Sequence, residues 1–324
     1  MAGRQRGPRR ARGRDINGIL LLDKPTGISS NQALQRAKAI FQARKAGHTG
    51  NLDVQASGLL PICFGEATKV CQYLLDADKR YVSEFTFGRR TSTGDSEGEV
   101  LAEAVTTHLS QDAVLAAMAA FSGWIEQLPP MHSAIKRNGQ PLYKLAHQGI
   151  EVERELRRVR IDRFDLLHFD NPRALVSVQC SKGTYVRTLA EDLGAALGCG
   201  AYVSAPRRDG AGPFKLEAGH TLEALEQRAR EGGVEALDCL LLPYDEALGH
   251  LPPVTLGEDA AYYLAQGQAV LVPRAPREGL LRLYDGAGRF LGVGEMQADG
   301  RIGPRRLFRA QASESQGESM RRRA

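Results

Sequence analysis

Residues 47 to 58 read GHTGNLDVQASG, a segment that combines three glycines with one imidazole and one carboxylate. Glycine adopts positive φ angles and lets the backbone approach a ligand closely. This composition therefore predicts a loop that holds Asp53 at the mouth of a cleft, with His48 shortly before it. An isolated aspartate in a loop is also a common turn former, so the segment alone does not establish a chemical role.

Strand and helix signals lie on both sides of this segment. Upstream, an apolar run over 18–25 predicts a buried strand that ends at its proline, and Ser29 is an N-cap candidate for a helix reaching about residue 43. Downstream, residues 79–88 alternate as a strand with Tyr81, Ser83, Phe85 and Phe87 on one face. Further predictions are a helix over 110–121 capped by Ser110, paired strands over 156–169 and 174–180, a helix over 184–197 ended by Gly198, and a helix over 222–230.

These elements alternate without a steady βαβ rhythm, which favours a mixed α+β fold over a doubly wound one. From about residue 251 the chain changes to short predicted strands with glycine turns, over 269–272, 279–284 and 289–296. We therefore predict a disordered Arg-rich arm at 1–15, a main domain at 16–250, a small β-rich domain at 251–310 and a disordered tail at 311–324.

Charge suggests a polyanionic partner. The formal net charge is +5, the sequence pI is about 9.0, and arginines crowd both ends of the chain. Two interpretations of the terminal arginines stay open: an arm that neutralises RNA phosphates, and a solvated tail.

The cysteines and the apolar runs of the sequence indicate a cellular compartment. The five cysteines form no C-x-x-C pair and their number is odd, so neither a zinc site nor a disulfide framework is predicted. The basic start is not followed by an apolar stretch of signal-peptide length, and the run at 19–22 is too short to cross a membrane. We expect a cytoplasmic protein without a metal.

Four separated segments, taken together, resemble the bacterial tRNA pseudouridine-55 synthase family (TruB class). They are GILLLDKPTG at 18–27, GHTGNLD at 47–53 followed by ASG at 56–58, DKRY at 78–81, and SKGTYVR at 181–187. The resemblance spans about residues 15–310. It implies a catalytic domain of the pseudouridine synthase type, with a mixed, mainly antiparallel sheet, and a small C-terminal β-barrel of the PUA-like kind that binds RNA.

The resemblance also implies roles for the matching residues. Asp53 would be the essential carboxylate that drives cleavage of the glycosidic bond. Tyr81 would stack on the target uracil and help to remove the C5 proton. Arg187 would pair with Asp53 and keep it ionised, because an adjacent guanidinium lowers a carboxylate pKa. Tyr185 would line the uracil pocket, and His48 would contact the RNA near the extruded base.

The implied activity is the isomerisation of uridine 55 in the T-arm of tRNA, catalysed by a monomer. Uracil leaves C1′, rotates and rejoins through C5, so the reaction needs neither a redox cofactor nor an imported group. It needs an ionised carboxylate, an aromatic surface for the base, and a base flipped out of its stack at a cost of roughly a few kcal/mol. Whether Asp53 attacks carbon or abstracts a sugar proton stays open.

The chain departs from the family pattern at several places. Val54-Gln55 replaces the usual Pro-Leu after the catalytic aspartate, and a proline there would stiffen the loop. His132 and His147 replace a usual tyrosine and a usual arginine, which predicts weaker contacts to RNA. Pro206 replaces a usual leucine before an arginine pair. It can shape the uracil pocket, but it has no backbone N–H to donate.

Two other hypotheses for function stay open. A non-catalytic tRNA-binding protein or folding helper fits the Val54-Gln55 departure and predicts salt-dependent tRNA binding without chemistry. A nucleosidase or glycosidase usually needs two acidic residues, and the sequence reveals no second carboxylate close to Asp53.

Overall fold

A computed structural model describes residues 13–308. The chain divides into two compact units, one ending at Leu242 and the other beginning at Pro243. The predicted tail and most of the predicted arm lie outside the described residues. Arg14, near the end of that arm, forms a β-bridge with Ala43 and an ion pair with Asp238. No helix in the described range is long and apolar enough to span a membrane.

One large sheet organises the first unit. The strands described in this unit are β1 (Gly18–Lys24), β2 (Ala46–His48), β3 (Ser57–Phe64), β4 (Lys79–Phe87), β5 (Arg89–Thr91), β6 (Val100–Glu103), β7 (Gly123–Gln127), β8 (Lys136–Arg137), β9 (Gln140–Pro141), β10 (Arg157–Asp170), β11 (Arg173–Cys180), β12 (Ala201–Ala211), β13 (Phe214–Lys215) and β14 (His220–Thr221). The sheet order is β14-β1-β3-β12-β4-β11-β10-β7, with β2 beside β3 and β13 beside β12. The β1–β14 and β3–β12 pairs are parallel and the other pairs are antiparallel. The predicted α+β class with a mixed, mainly antiparallel sheet is therefore confirmed.

Two apolar cores hold four of the six α-helices described in this unit. The helices are α1 (Ser30–Ile40), α2 (Cys71–Asp76), α3 (Gln111–Ala119), α4 (Leu142–Ala146), α5 (Val186–Ala196) and α6 (Leu222–Gly232). One core packs α3 and α5 against β4, β10, β11 and β12, and the other packs α1 and α6 against β1 and β3. Tyr81, on β4, packs against both cores. Its ring therefore lies where the two cores meet.

Local capping explains where several helices begin. Ser29 and Gln32 form a capping box at the start of α1, and Ser110 caps α3 as predicted. The predicted helix over 184–197 begins at Val186 instead. The side chain of Gln127 accepts from the backbone N–H of Tyr185 and donates to its carbonyl, and Tyr185 stays extended.

The sequence patterns did not predict two central strands. In β3, Pro61 interrupts an apolar run, and a proline normally argues against a central strand. In β12, the pairing with β4 contains two register shifts, so no regular alternation is visible. Both strands matter for function because they adjoin the Gly-rich segment at 47–58.

The second unit contains a small sheet and one α-helix within the described residues. Its elements are β15 (Pro253–Thr255), α7 (Glu258–Ala265), β16 (Leu280–Tyr284), β17 (Phe290–Met296) and β18 (Ile302–Leu307). The sheet order is β15-β16-β17-β18 around a separate apolar core, which is consistent with the predicted PUA-like domain. The strand predicted over 269–272 is wrong. Only Val270 pairs there, in a single bridge to Ile302, because Pro273 follows at once.

Candidate active site

The loop that carries Asp53 connects β2 to β3 and is fastened along its backbone. We call residues 49–56 the Asp53 loop. The hydroxyl of Ser30 accepts from the N–H of Leu52 at 2.7 Å and donates to its carbonyl at 3.0 Å. The carbonyl of Val54 accepts from the N–H of Gly27 at 2.9 Å and from Lys24 Nζ at 3.4 Å. These contacts hold the loop without the proline that the family pattern carries after the aspartate.

Arg187, in the first turn of α5, joins this loop to a second turn. We call residues 92–99, between β5 and β6, the Asp95 turn. Arg187 Nη2 lies 3.0 Å from Asp53 Oδ2, and Arg187 Nη1 lies 3.4 Å from Asp95 Oδ2. The guanidinium also donates to the carbonyls of Thr93, at 2.9 Å, and His132, at 2.7 Å. Because the side chain of Arg187 is only 8% exposed, these four acceptors fix it in one orientation.

Asp53 is the exposed member of this network. Its side chain is 55% exposed, whereas that of Asp95 is 9% exposed. Burial raises the pKa of Asp53, Arg187 and Lys24 lower it, and the net shift is upward. The sequence predicted that Arg187 lowers this pKa. The guanidinium acts in that direction, but burial together with the neighbouring carboxylates of Asp95 and Glu97 outweighs it.

A buried arginine is the cross-strand neighbour of Tyr81. Arg208, on β12, is 1% exposed and pairs with Tyr81 across β12 and β4. It also donates from Nε to the carbonyl of Leu59 at 2.7 Å and from Nη1 to the carbonyl of Asn51 at 3.3 Å. Gly58 lets the backbone of Arg208 lie close to β3, since a Cβ at its φ of +102° would lie 2.2 Å from the Arg208 carbonyl oxygen. Burial raises the pKa of Tyr81, which keeps its phenol protonated.

The remaining predicted site residues, Tyr185, His48 and Pro206, lie in different surroundings. Tyr185 is partly buried, its backbone is held by the side chain of Gln127, and burial raises its pKa. His48 ends β2, and burial, followed by the charge of Arg208, lowers its pKa. Pro206 pairs with Ser83 across β12 and β4 and is partly exposed. Thus the structure brings Arg187 into direct contact with Asp53, and it gives no direct contact between Asp53 and either His48 or Pro206.

The two histidine departures from the family pattern lie side by side. The rings of His132 and His147 meet edge to face with their centroids 5.7 Å apart, and Tyr143 packs against His147 at 6.3 Å. The carbonyl of His132 is also the one that accepts from Arg187. Position 132 therefore contributes to the site through its backbone, which any side chain preserves.

Sequence reasoning missed Asp95 and Arg208 and gave Lys24 no chemical role. It also found no second carboxylate near Asp53, which is wrong because Asp95 shares the guanidinium of Arg187. Asp95 sits in a polar turn distant in sequence, and no local pattern marks it. It is buried and bonded to Thr93, so it orients Arg187 rather than facing a substrate.

Lys24 offers a first test of how the Asp53 loop is held. Its side chain is fully buried and donates to the carbonyls of Pro25, Ile28 and Val54, and burial lowers its pKa to about 8. We expect Lys24→Met to lower the turnover rate by about tenfold, because a displaced catalytic group loses rate steeply. The acid limb of the pH–rate profile should also move to higher pH, because the lysine charge lowers the pKa of Asp53. The rate of the chemical step, measured before steady state between pH 4.5 and 8, reports both effects. Lys215→Met, which changes an exposed lysine, is the control and should match wild type.

Known proteins resemble this chain over nearly its whole length. Models of the TruB family pseudouridylate synthase N-terminal domain, the tRNA pseudouridylate synthase B C-terminal domain and the pseudouridine synthase II TruB C-terminal domain match residues 38–186, 187–249 and 252–308. A tRNA pseudouridine synthase B of Pseudomonas paraeruginosa is 58% identical over 92% of this chain and 97% of its own. One of Stutzerimonas stutzeri is 54% identical over the same shares. A solved chain from an H/ACA RNP bound to a substrate RNA containing 2′-deoxyuridine has a TM-score of 0.71 and 26% identity, covering 91% of this chain and 86% of that one.

Proposed function

Because this chain belongs to the TruB family of pseudouridylate synthases, we propose that it isomerises uridine to pseudouridine at position 55 in the T-arm of tRNA. The names of its curated relatives supply tRNA as the substrate class. The resemblance of its motifs to pseudouridine-55 synthases supplies the position. We expect the enzyme to act as a cytoplasmic monomer and to need neither a cofactor nor a metal, because the isomerisation imports no group.

The contact between Asp53 and Arg187 carries this proposal. A partly exposed carboxylate is aimed from a fastened loop and paired, at 3.0 Å, with a buried guanidinium. A second, buried carboxylate orients the same guanidinium from its other side. This arrangement supports an Asp53 that is both preorganised and reachable by a ribose, as the reaction requires.

In the proposed mechanism, the aromatic side chains bind the flipped uracil while Asp53 acts on its sugar. Tyr81 stacks on the base from a position on β4 that pairs with the buried Arg208. Tyr185 lines the pocket, with its backbone held by the side chain of Gln127. His48 contacts the RNA beside the extruded base.

The atoms balance without an added reagent. The C1′–N1 bond breaks with the help of Asp53, the uracil rotates in the pocket, and a C1′–C5 bond forms. N1 takes up a proton from solvent and C5 loses its proton to solvent, so the product has the same atoms as the uridine. Tyr81, whose phenol stays protonated, helps this loss by holding the base in position. Pro206 lies on β12, the strand that pairs with β4, which carries Tyr81. It shapes the pocket in which the base turns.

The proposal predicts tritium release from a T-arm stem-loop that carries [5-³H]uridine at position 55. We expect wild-type protein to release the label in proportion to pseudouridine formed, and to release no free uracil. A stem-loop with the label at a neighbouring uridine serves as the control and should keep it. Free uracil as the product would instead support a nucleosidase, and salt-dependent binding with no release would support a non-catalytic tRNA-binding protein.

A further inference from the structure

A side-chain hydrogen bond links the Asp53 loop to the Asp95 turn. Gln55 Nε2 donates to Glu97 Oε1 over 2.8 Å. The backbone N–H of Glu97 donates to Asp95 Oδ1 over 3.1 Å. Glu97 therefore contacts both segments at once, with its side chain on the loop and its backbone on the carboxylate of the turn.

These contacts close a ring around the guanidinium of Arg187. Asp53 and Asp95 flank the guanidinium at 3.0 Å and 3.4 Å. From Asp95 the ring continues through Glu97 to Gln55, which returns along the chain to Asp53. The backbone contacts described above fasten the loop to β1, α1 and β12. The bond from Gln55 to Glu97 fastens it on another side, to the turn that orients Arg187.

We propose, on the basis of the function proposed above, that Gln55 and Glu97 are positioning residues that fix the separation of the Asp53 loop from the Asp95 turn. The carboxylate of Asp53 then has a defined distance from both the guanidinium and the ribose. Neither residue touches the substrate in this proposal. Their effect on the reaction passes through Asp53.

Glu97 also contributes charge at this point. The charged groups that act most strongly on the Asp53 carboxylate are Arg187 from α5, Lys24 from β1, and Asp95 and Glu97 from the turn, and His132 is also coupled to Asp53. The two cations lower the pKa of Asp53 and the two carboxylates raise it. Removing the charge of Glu97 therefore lowers this pKa, so that Asp53 stays ionised, and the enzyme stays active, at lower pH.

Four variants separate the hydrogen bond from the charge. Gln55→Ala removes the bond and leaves the carboxylate of Glu97. Glu97→Gln removes the charge and keeps an amide that can pair with Gln55. Glu97→Ala removes both. Glu99→Gln is the matched control, because it removes an exposed carboxylate from the same turn that forms no hydrogen bond with the Asp53 loop.

The experiment measures single-turnover tritium release against pH, together with a ¹³C NMR titration of the Asp53 carboxyl in substrate-free protein. We expect Gln55→Ala to lower the plateau rate by about fivefold, the size of effect that one hydrogen bond exerts. Glu97→Gln should move the acid limb and the Asp53 titration to lower pH, and Glu97→Ala should show both effects. Glu99→Gln should match wild type.

Two results would overturn this inference: a plateau rate in Gln55→Ala equal to that of wild type, or an Asp53 titration in Glu97→Gln that does not move. Failure of the proposed function looks different. Wild-type protein would then release no tritium, while the NMR titration would still show whether Glu97 acts on Asp53.

Discussion

Asp53→Asn is expected to reduce tritium release from uridine 55 by on the order of 10⁴-fold, as the loss of a group essential to the chemistry does. Asparagine has nearly the same size and can still face Arg187, but it carries no charge and is a poor base and nucleophile. The structure gives no other exposed carboxylate in contact with Arg187 among residues 13–308 that can replace it. Single-turnover assays with excess enzyme measure the loss.

Binding of tRNA should survive this substitution, since contacts to many phosphates dominate the affinity of proteins for RNA. The control is Asp15→Asn, which breaks another aspartate–arginine pair, with Arg44 at 2.9 Å, on an exposed surface. It should leave both the rate and the binding near those of wild type. An Asp53→Asn protein that releases tritium at the wild-type rate would remove Asp53 from the mechanism.

The parts of the site that sequence reasoning found are those encoded in short local patterns. Glycines mark the segment around Asp53, and the alternation over 79–88 gives Tyr81 its face on β4. Family resemblance, rather than any physical pattern, suggested the pairing of Asp53 with Arg187. The pairing itself depends on the packing of α5 against the sheet, which brings the first turn of this helix to the Asp53 loop.

The parts that sequence reasoning missed depend on contacts between distant segments. Arg208 is a buried cation on a strand with irregular register, and charged residues are normally expected on the surface. Asp95 lies in a turn whose composition is ordinary for an exposed hairpin. Val54-Gln55 predicted a less rigid loop. Yet hydrogen bonds from Lys24, at the end of β1, and from Ser30, at the start of α1, fasten this loop. Proline is one way to stiffen a loop, and hydrogen bonds from neighbouring elements are another.

Arg187→Met is expected to destabilise the first unit by about 3–5 kcal/mol, because it leaves the buried carboxylate of Asp95 without its cation. It also removes the hydrogen bonds to the carbonyls of Thr93 and His132. Activity should fall as well, and the remaining acid limb should move to higher pH, because Arg187 is the main group that lowers the pKa of Asp53. Urea unfolding followed by the fluorescence of Trp124, the single tryptophan, reports on this unit.

Adding Asp95→Asn to Arg187→Met separates the electrostatic cause from simple loss of packing. If an unpaired buried charge is what destabilises the protein, the double variant is more stable than Arg187→Met alone, since no uncompensated charge remains at position 95. If the two substitutions destabilise additively, the account of Asp95 as the buried partner is wrong. Arg207→Met provides the matched control: it breaks the exposed pair with Asp23, at 2.8 Å, and should change stability by less than about 1 kcal/mol. Activity should not recover in the double variant, because Asp53 still lacks the guanidinium that holds it in place.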